Sequence, residues 1–348
     1  MVTGGAGFIG CAVSGDLVRQ FERVVVVDNL HPQVHKLRQR PAALAEDAEL
    51  ILGDVAETST WNEVLARHKP TTILHLAAET GTGQSLREAT RHARVNVVGT
   101  AVMLDALVER DCLPNHIVLV SSRAVYGEGP WYNRKTGEVL YPGQRTLEQL
   151  AKSLWDFENL DPRPAEAGNT QPMPVSVYGA TKLAQENMLT SWANALGVSA
   201  LVLRLQNVYG PGQSLNNPYT GIVSLFCQLA RRKEPIPLYE DGRMLRDFVL
   251  IDDVVSAILV ALATPGDHRR PYDIGTGVAT TIGDLAALIA QNYAAPAPEV
   301  CGKYRFGDVR HALCDIARTK DALKWAPQHS VRFGLSKLQA WIETQSIS

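Results

Sequence analysis

Apolar positions along this chain alternate between two rhythms. Short, nearly continuous runs occupy Arg23–Asp28, Glu49–Val55, Thr72–Ala78, His116–Ser122 and Val198–Leu205. Between them lie segments with helical spacing: Phe8–Val18, Thr60–Arg67 and Arg91–Glu109, the last with Val95, Val98, Val102, Leu104 and Leu107. Strands apolar at almost every position are covered on both faces, as in parallel sheets. Their alternation with helices predicts an α/β fold, a doubly wound parallel sheet with its ligand at the carboxyl ends of the strands. Further on, the pattern predicts a loop and helix over Asn216–Arg232 and short strands at Phe248–Ile251 and Tyr272–Gly275. Helices are expected over Asp252–Leu262 and over Thr281–Asn292, with Thr281 as the cap.

The first turn of this pattern is rich in glycine. Thr3-Gly-Gly-Ala-Gly-Phe-Ile-Gly10 joins the apolar start Met1-Val2 to the first helix. Strand, glycine turn and helix N-terminus in that order make a site for a dinucleotide pyrophosphate. Gly4 is expected to permit the turn, Gly7 to admit the phosphates, and Gly10 to let helix and strand pack closely. Phe8 and Ile9 begin the helix beside them. Asp28 ends the next strand, 18 residues beyond Gly10, where a carboxylate meets the adenosine ribose hydroxyls. A carboxylate repels a 2′-phosphate, and no arginine follows directly in Asp28-Asn29-Leu30, so NAD is favoured over NADP. A central strand usually has about 5–6 residues. Only Met1-Val2-Thr3 precede Gly4, so either a shortened first strand or a native start upstream is expected.

Composition narrows the class without naming a chemistry. The 348 residues are 45% hydrophobic and 20% charged, ordinary for a globular protein with a sizeable core. A net charge of −2 gives no electrostatic reason to expect nucleic acid or an anionic membrane as partner. No apolar run is long enough for a membrane span, and the opening residues lack a leader pattern. Cysteines 11, 112, 227, 301 and 314 are scattered, with no Cys-x-x-Cys pair. That suits a reducing, cytoplasmic setting and argues against zinc or a disulfide framework. His75 and His116, in or beside strands, are expected to be hydrogen-bonded core residues rather than ligands.

The sharpest chemical pattern is Tyr178-Gly-Ala-Thr-Lys182. On a helix, positions i and i+4 share a face, so phenol and ammonium address one bound molecule. A tyrosine is a poor base at its ordinary pKa near 10. A nearby ammonium and a cationic nicotinamide ring favour the phenolate. Lys182 is also expected to reach the nicotinamide ribose, and Ser122, at a strand end, to hydrogen-bond the sugar hydroxyl that loses or gains the proton.

With these residues in place, the chain resembles the extended short-chain dehydrogenase/reductases that act on nucleotide sugars. The resemblance runs through Thr3–Gly10, Asp28-Asn29-Leu30, Gly53-Asp54-Val55 and His75-Leu-Ala-Ala78. It continues through Asn96–Thr100, Ser121-Ser-Arg-Ala-Val-Tyr-Gly127, Tyr178–Lys182, Arg204–Pro211 and Arg246-Asp-Phe248. It implies that Asn29, Asp54 and Val55 lie at the adenosine end, that Leu76, Ala77 and Ala78 line the cofactor, and that Asn96 supports the nicotinamide end. Asn207, Arg246 and Arg305 would face the substrate diphosphate, where forked guanidinium donors match phosphate oxygens. A Rossmann domain over 1–205, with an insertion at 127–174 and strands returning at about 248–275, is implied. The same resemblance implies a smaller α+β substrate-binding cap from 206–247 and 276–348, and a homodimer through the helices carrying Asn96 and Tyr178.

The resemblance also bears on the reaction. Dehydrating members carry an Asp-Glu pair after the strand-end hydroxyl, and decarboxylating members need an acid there; this chain has Arg123 and Ala124. What remains is oxidation at C4 and return of the hydride, which is epimerisation. The long segment between Ser122 and Tyr178, with Asn207–Gly221, looks most like that of dTDP-L-rhamnose 4-epimerases; UDP-glucose or UDP-glucuronate is the alternative substrate, and a non-catalytic NAD sensor the reading from another class. Trp131, Tyr132, Trp155 and Phe157 predict that 127–174 packs as an ordered flap with one helix around Thr146–Phe157. No cysteine pair occurs there, so no metal is expected.

Overall fold

Seven parallel strands form the central sheet: β1 (Val2–Thr3), β2 (Val25–Asp28), β3 (Glu49–Leu52), β4 (Thr72–His75), β5 (His116–Ser122), β6 (Ser199–Leu205) and β7 (Tyr272–Ile274). The computed structural model describes residues 1–35, 37–215, 221–266, 268 and 270–345. Strand order is 3-2-1-4-5-6-7, with every pairing parallel. The chain moves outward from β1 to β3 and then returns to β4 on the other side of β1. This reversal leaves a crevice at the carboxyl ends of β1 and β4.

The strand runs are apolar throughout because both faces are covered. In β5, Val118 and Val120 join one core cluster while Ile117 and Leu119 join the other; in β6, Leu201 and Leu203 part from Ala200 and Val202 in the same way. The helices Phe8–Gln20 and Ile251–Leu262 cover the first face, with Val13, Leu17, Val254 and Ile258 buried. Thr58–Arg67, Gly99–Glu109 and Val177–Leu196 cover the second. β1 is short, and Val2 is held between Val26 and Leu74. His75 and His116 are buried and hydrogen-bonded inside this sheet, as expected.

The first core cluster continues beyond the sheet. Phe226, Ile282, Leu285, Leu335 and Leu338 belong to it together with Val118 and Leu203. The helices Ile222–Arg231 and Ile282–Asn292 pack together, and Thr281 caps the second by accepting from the Asp284 amide. A small mixed sheet places Leu245–Arg246 between Thr280–Thr281 and His311–Ala312. The loop expected from Asn216 falls partly outside the described residues. Among those described, no helix is long and apolar enough to cross a membrane.

The 127–174 insertion is ordered around three antiparallel strands, with Trp131–Asn133 between Val139–Leu140 and Leu160–Pro162. Trp131 is buried, its ring 5.0 Å from that of Phe157 and 5.2 Å from that of His311. The helix expected to reach Phe157 is shorter, Leu147–Ala151, capped by Thr146. Ser153 takes a left-handed turn (φ +56°). The turn lets the Trp155 carbonyl accept from Arg145 and the Asp156 carboxylate from Arg310. These side-chain partners, Arg310 from a distant segment, end the helix where local pattern would continue it.

Candidate active site

A cleft of about 1100 Å³ opens at the carboxyl ends of β1, β4 and β5. Its floor begins at the glycine turn. Gly4 has φ +65°, and a Cβ there would stand 2.7 Å from both the nitrogen and the Cα of Ala77. The turn thus meets the β4 exit backbone to backbone, a contact only glycine permits. A Cβ on Gly10 would lie 2.4 Å from the Gly5 Cα, so Gly10 seats the helix on the turn itself rather than on the strand. Gly7 is the N-cap in extended backbone, with no side chain capping it. The first amides of the helix, at Phe8, Ile9 and Gly10, are therefore available to an anion at its N-terminus.

Asp28 serves both the turn and the cleft. Its carboxylate accepts from the Ala6 amide at 3.0 Å and the Leu30 amide at 2.8 Å, and it lines the cleft. Asn29 donates to Asp54 at 3.3 Å, and Asp54 accepts from the Ala56 amide at 2.9 Å. Asn29, Asp54, Val55, Leu76, Ala77 and Ala78 all line the same cleft. The cradle of small residues, the uncapped helix and the carboxylate fit NAD.

At the far end stand Ser122, Tyr178 and Lys182. Ser122 closes β5, and its hydroxyl accepts from the Ala124 amide at 3.2 Å. The helix bearing Tyr178 is capped by Ser176, and Gly179 brings it against the Ala124 carbonyl, which a Cβ would meet at 2.4 Å. Burial pushes the Tyr178 phenol up, while the Ser122 hydroxyl and the charge of Arg123 draw it back down. Lys182 is 2% exposed, and burial lowers its ammonium to about 7. It donates to the Val120 carbonyl at 2.8 Å and to Gln185. Gln185 in turn donates to His75 at 2.9 Å and to Thr100 at 2.8 Å. His75, pushed down to about 3 by burial and then by Lys182, stays neutral and meets Thr3 at 2.6 Å. A buried polar chain therefore positions Lys182 from β1.

Three expected residues stand elsewhere. Asn96 is fully buried within a π-helical turn, Arg94–Val98, that interrupts the helix expected over Arg91–Glu109. Its amide pairs with both backbone groups of Glu79 (2.8 and 3.0 Å) and with Thr181 (2.9 Å). It braces the wall from behind and does not line it. Arg246 is caged by the carbonyls of Val309, Arg310 and Leu245, with its pKa lowered to about 10 by burial and then by Arg123. Arg305 is exposed, its guanidinium 5.1 Å from the centre of the Tyr239 ring. Of the residues expected at the diphosphate, Asn207 lines the cleft. Sequence reading passed over Gln185, whose signal is its place one turn beyond Lys182, and over Arg123 and Gln206 on the wall. Among the described residues, no group of His, Cys, Asp and Glu is arranged to hold a metal ion.

Comparison with known proteins agrees with this geometry. The model of the NAD dependent epimerase/dehydratase family matches residues 1–275. The chain is 54% identical to a dTDP-L-rhamnose 4-epimerase of Burkholderia thailandensis over 342 residues, 98% of this chain and 94% of that one. It is 29% identical to a UDP-glucose 4-epimerase of Mycolicibacterium smegmatis, across 99% of both chains. Among solved structures, a Thermotoga maritima UDP-glucose 4-epimerase with UDP-glucose superposes with a TM-score of 0.79 at 28% identity, covering 98% of this chain and 97% of that one. The chain belongs to the NAD dependent epimerase/dehydratase family.

Proposed function

We propose that this chain is an NAD-dependent nucleotide-sugar 4-epimerase whose substrate is dTDP-L-rhamnose. The observation that carries the reading is a convergence: Ser122, Tyr178 and Lys182 share the end of a cleft whose other end is a dinucleotide cradle. The choice of sugar nucleotide rests on the 54% identity to the Burkholderia protein of that name. The retained Ser, Tyr and Lys speak against a non-catalytic NAD sensor.

In this mechanism the Tyr178 oxygen takes the proton of the C4 hydroxyl and later returns it. Ser122 hydrogen-bonds the same hydroxyl and favours the Tyr178 phenolate. Lys182 holds the nicotinamide ribose from a position set by Val120 and Gln185. NAD, held in the cradle at the other end of the cleft, would supply the hydride acceptor and donor that oxidation and reduction at C4 need. Arg123 and Ala124 provide no acid for elimination, so the chemistry ends at inversion.

The division of labour belongs to the proposal: residues 1–205 with the returning strands hold NAD, and 206–247 with 276–348 hold the sugar nucleotide. So does a cytoplasmic homodimer, formed by the helices carrying Asn96 and Tyr178; the free cysteines and the exposed Val98 support it. A monomeric mass in solution would remove the dimer. The central test incubates the pure protein with dTDP-L-rhamnose, UDP-glucose and UDP-glucuronate and follows C4 inversion by NMR. Inversion of dTDP-L-rhamnose is expected. Turnover of UDP-glucose alone would replace the substrate, and turnover of none would remove the enzyme reading.

A further inference from the structure

Beneath the insertion lies a small polar cavity, lined by Glu128, Arg163 and His311 among others. Arg123 and Gln206 border both this cavity and the main cleft, and among the described residues no other residue does. They form the partition between the two. Gln206 follows directly on β6, and its backbone amide extends the ladder by donating to Ile274 at 2.9 Å. Its side chain lies over Gly275, where a Cβ would come within 2.7 Å of the Gln206 Cγ.

The side chain is 5% exposed, yet neither its amide nitrogen nor its amide oxygen has a partner. The neighbouring Asn207 has an unpartnered carbonyl oxygen as well. Buried amides left unpaired cost stability, and at the wall of a cleft they are groups that a ligand can pair. Arg123, beside Gln206, is half-buried and, among the described residues, takes part in no ion pair. Arg123 follows directly on Ser122 at the end of β5, so the partition borders the reacting end of the cleft.

We propose that Gln206, with Arg123 beside it, is a specificity-determining wall that reads the hydroxyls of the pyranose. The inference rests on the nucleotide-sugar reading above and deepens it. A pyranose presents neighbouring hydroxyls that each donate and accept. An amide with two N–H groups and one carbonyl matches such a pair, and it pairs with either presentation of a ring that turns between hydride removal and return. The forked donors of Arg123 complete the wall where the ring oxygens lie near Tyr178.

The test compares binding of dTDP-L-rhamnose and of dTDP by calorimetry, in the NAD-loaded wild type and in Gln206→Leu, Gln206→Met and Arg123→Met. Removing a hydrogen-bonding group that pairs a sugar hydroxyl is expected to weaken dTDP-L-rhamnose by roughly 10- to 100-fold. Affinity for dTDP should stay within about twofold, NAD content should not change, and Gln206→Leu should melt no lower than wild type, since its unpaired groups are gone. Arg123→Lys should recover part of the loss. Unchanged dTDP-L-rhamnose binding in the two Gln206 variants would overturn the inference and leave the amide a holder of cavity water. Equal weakening of dTDP would overturn it in favour of a nucleotide subsite. If Gln206→Leu fails to fold, Gln206→Met decides by the same criteria. If wild type binds no dTDP-L-rhamnose, the substrate reading fails instead, and UDP-glucose against UDP carries the same comparison.

Discussion

Lys182 illustrates at the scale of one residue how burial and chemistry pull apart. The helix places it one turn beyond Tyr178, and Val120 and Gln185 hold its ammonium in place. Burial lowers its pKa from the ordinary 10.5 to about 7. Below pH 7 the folded and unfolded states both carry the proton, so the cost of burying the cation applies in full. Between about 7 and 10.5 the folded state sheds a proton that the unfolded state keeps, and stability rises with pH. The melting temperature of Lys182→Met minus that of wild type should therefore be more positive at pH 6 than at pH 9. A pH-independent difference would show that the lysine is not desolvated. Tyr178→Phe tests the neighbouring role. The variant should retain NAD and lose roughly 10²–10⁴-fold in kcat, the usual worth of a positioned general base. Near-normal turnover would take Tyr178 out of the base role.

At the scale of elements, two close approaches build the cleft, and both depend on what is missing from a backbone. Gly4 allows the turn to touch the β4 exit, and Gly10 allows the helix to sit on Gly5. The atoms that a Gly10 side chain would meet are backbone, which cannot swing away. Gly10→Ala should destabilise by about 1–3 kcal/mol and lower the NAD content of the purified protein. Unchanged melting and full NAD content would show that the helix can shift without cost. The π-helical turn at Asn96 is the second device. One extra residue in the turn carries the Asn96 amide to the Glu79 backbone and to Thr181, joining the β4 exit to the Tyr178 helix.

Across the whole molecule, a buried ionic network fastens the insertion to the C-terminal half. Arg145, 1% exposed, makes a two-pronged contact with Glu240 at 2.9 Å and reaches Glu128 at 3.3 Å. Arg310 joins Glu240, Asp156 and Asp241. Glu128, Arg145 and Asp156 come from the insertion; Glu240, Asp241 and Arg310 come from beyond residue 205. Buried pairs of this kind add little over apolar packing, but removing one partner leaves charge uncompensated. Arg145→Met should cost about 3–5 kcal/mol in denaturant unfolding. Replacing Glu240 by Leu in the same chain should recover part of that loss. A loss below about 1 kcal/mol would mean that the insertion is held by its Trp131 packing alone.

Strand runs, the glycine turn, Asp28 and the Tyr178–Lys182 pair were readable from order alone, because period and spacing act within a few residues of chain. They fix which groups share a face and which strand ends carry polar side chains. The placement of Asn96, Arg246 and Arg305 was not readable. Asn96 went behind the wall because a π-helical turn aims it there, and Arg246 went into a cage of carbonyls from a segment more than 60 positions away. The helix after Thr146 ended at Ala151, short of the left-handed turn at Ser153, because Arg145 and Arg310 claim the groups that follow. The partition made by Arg123 and Gln206 joins the end of β5 to the end of β6, neighbours only once the sheet has formed. Local spacing thus determined the fold class and the chemistry at hand. Which side chains line the cleft was decided by pairings between distant segments, whose energies appear only when the chain is packed.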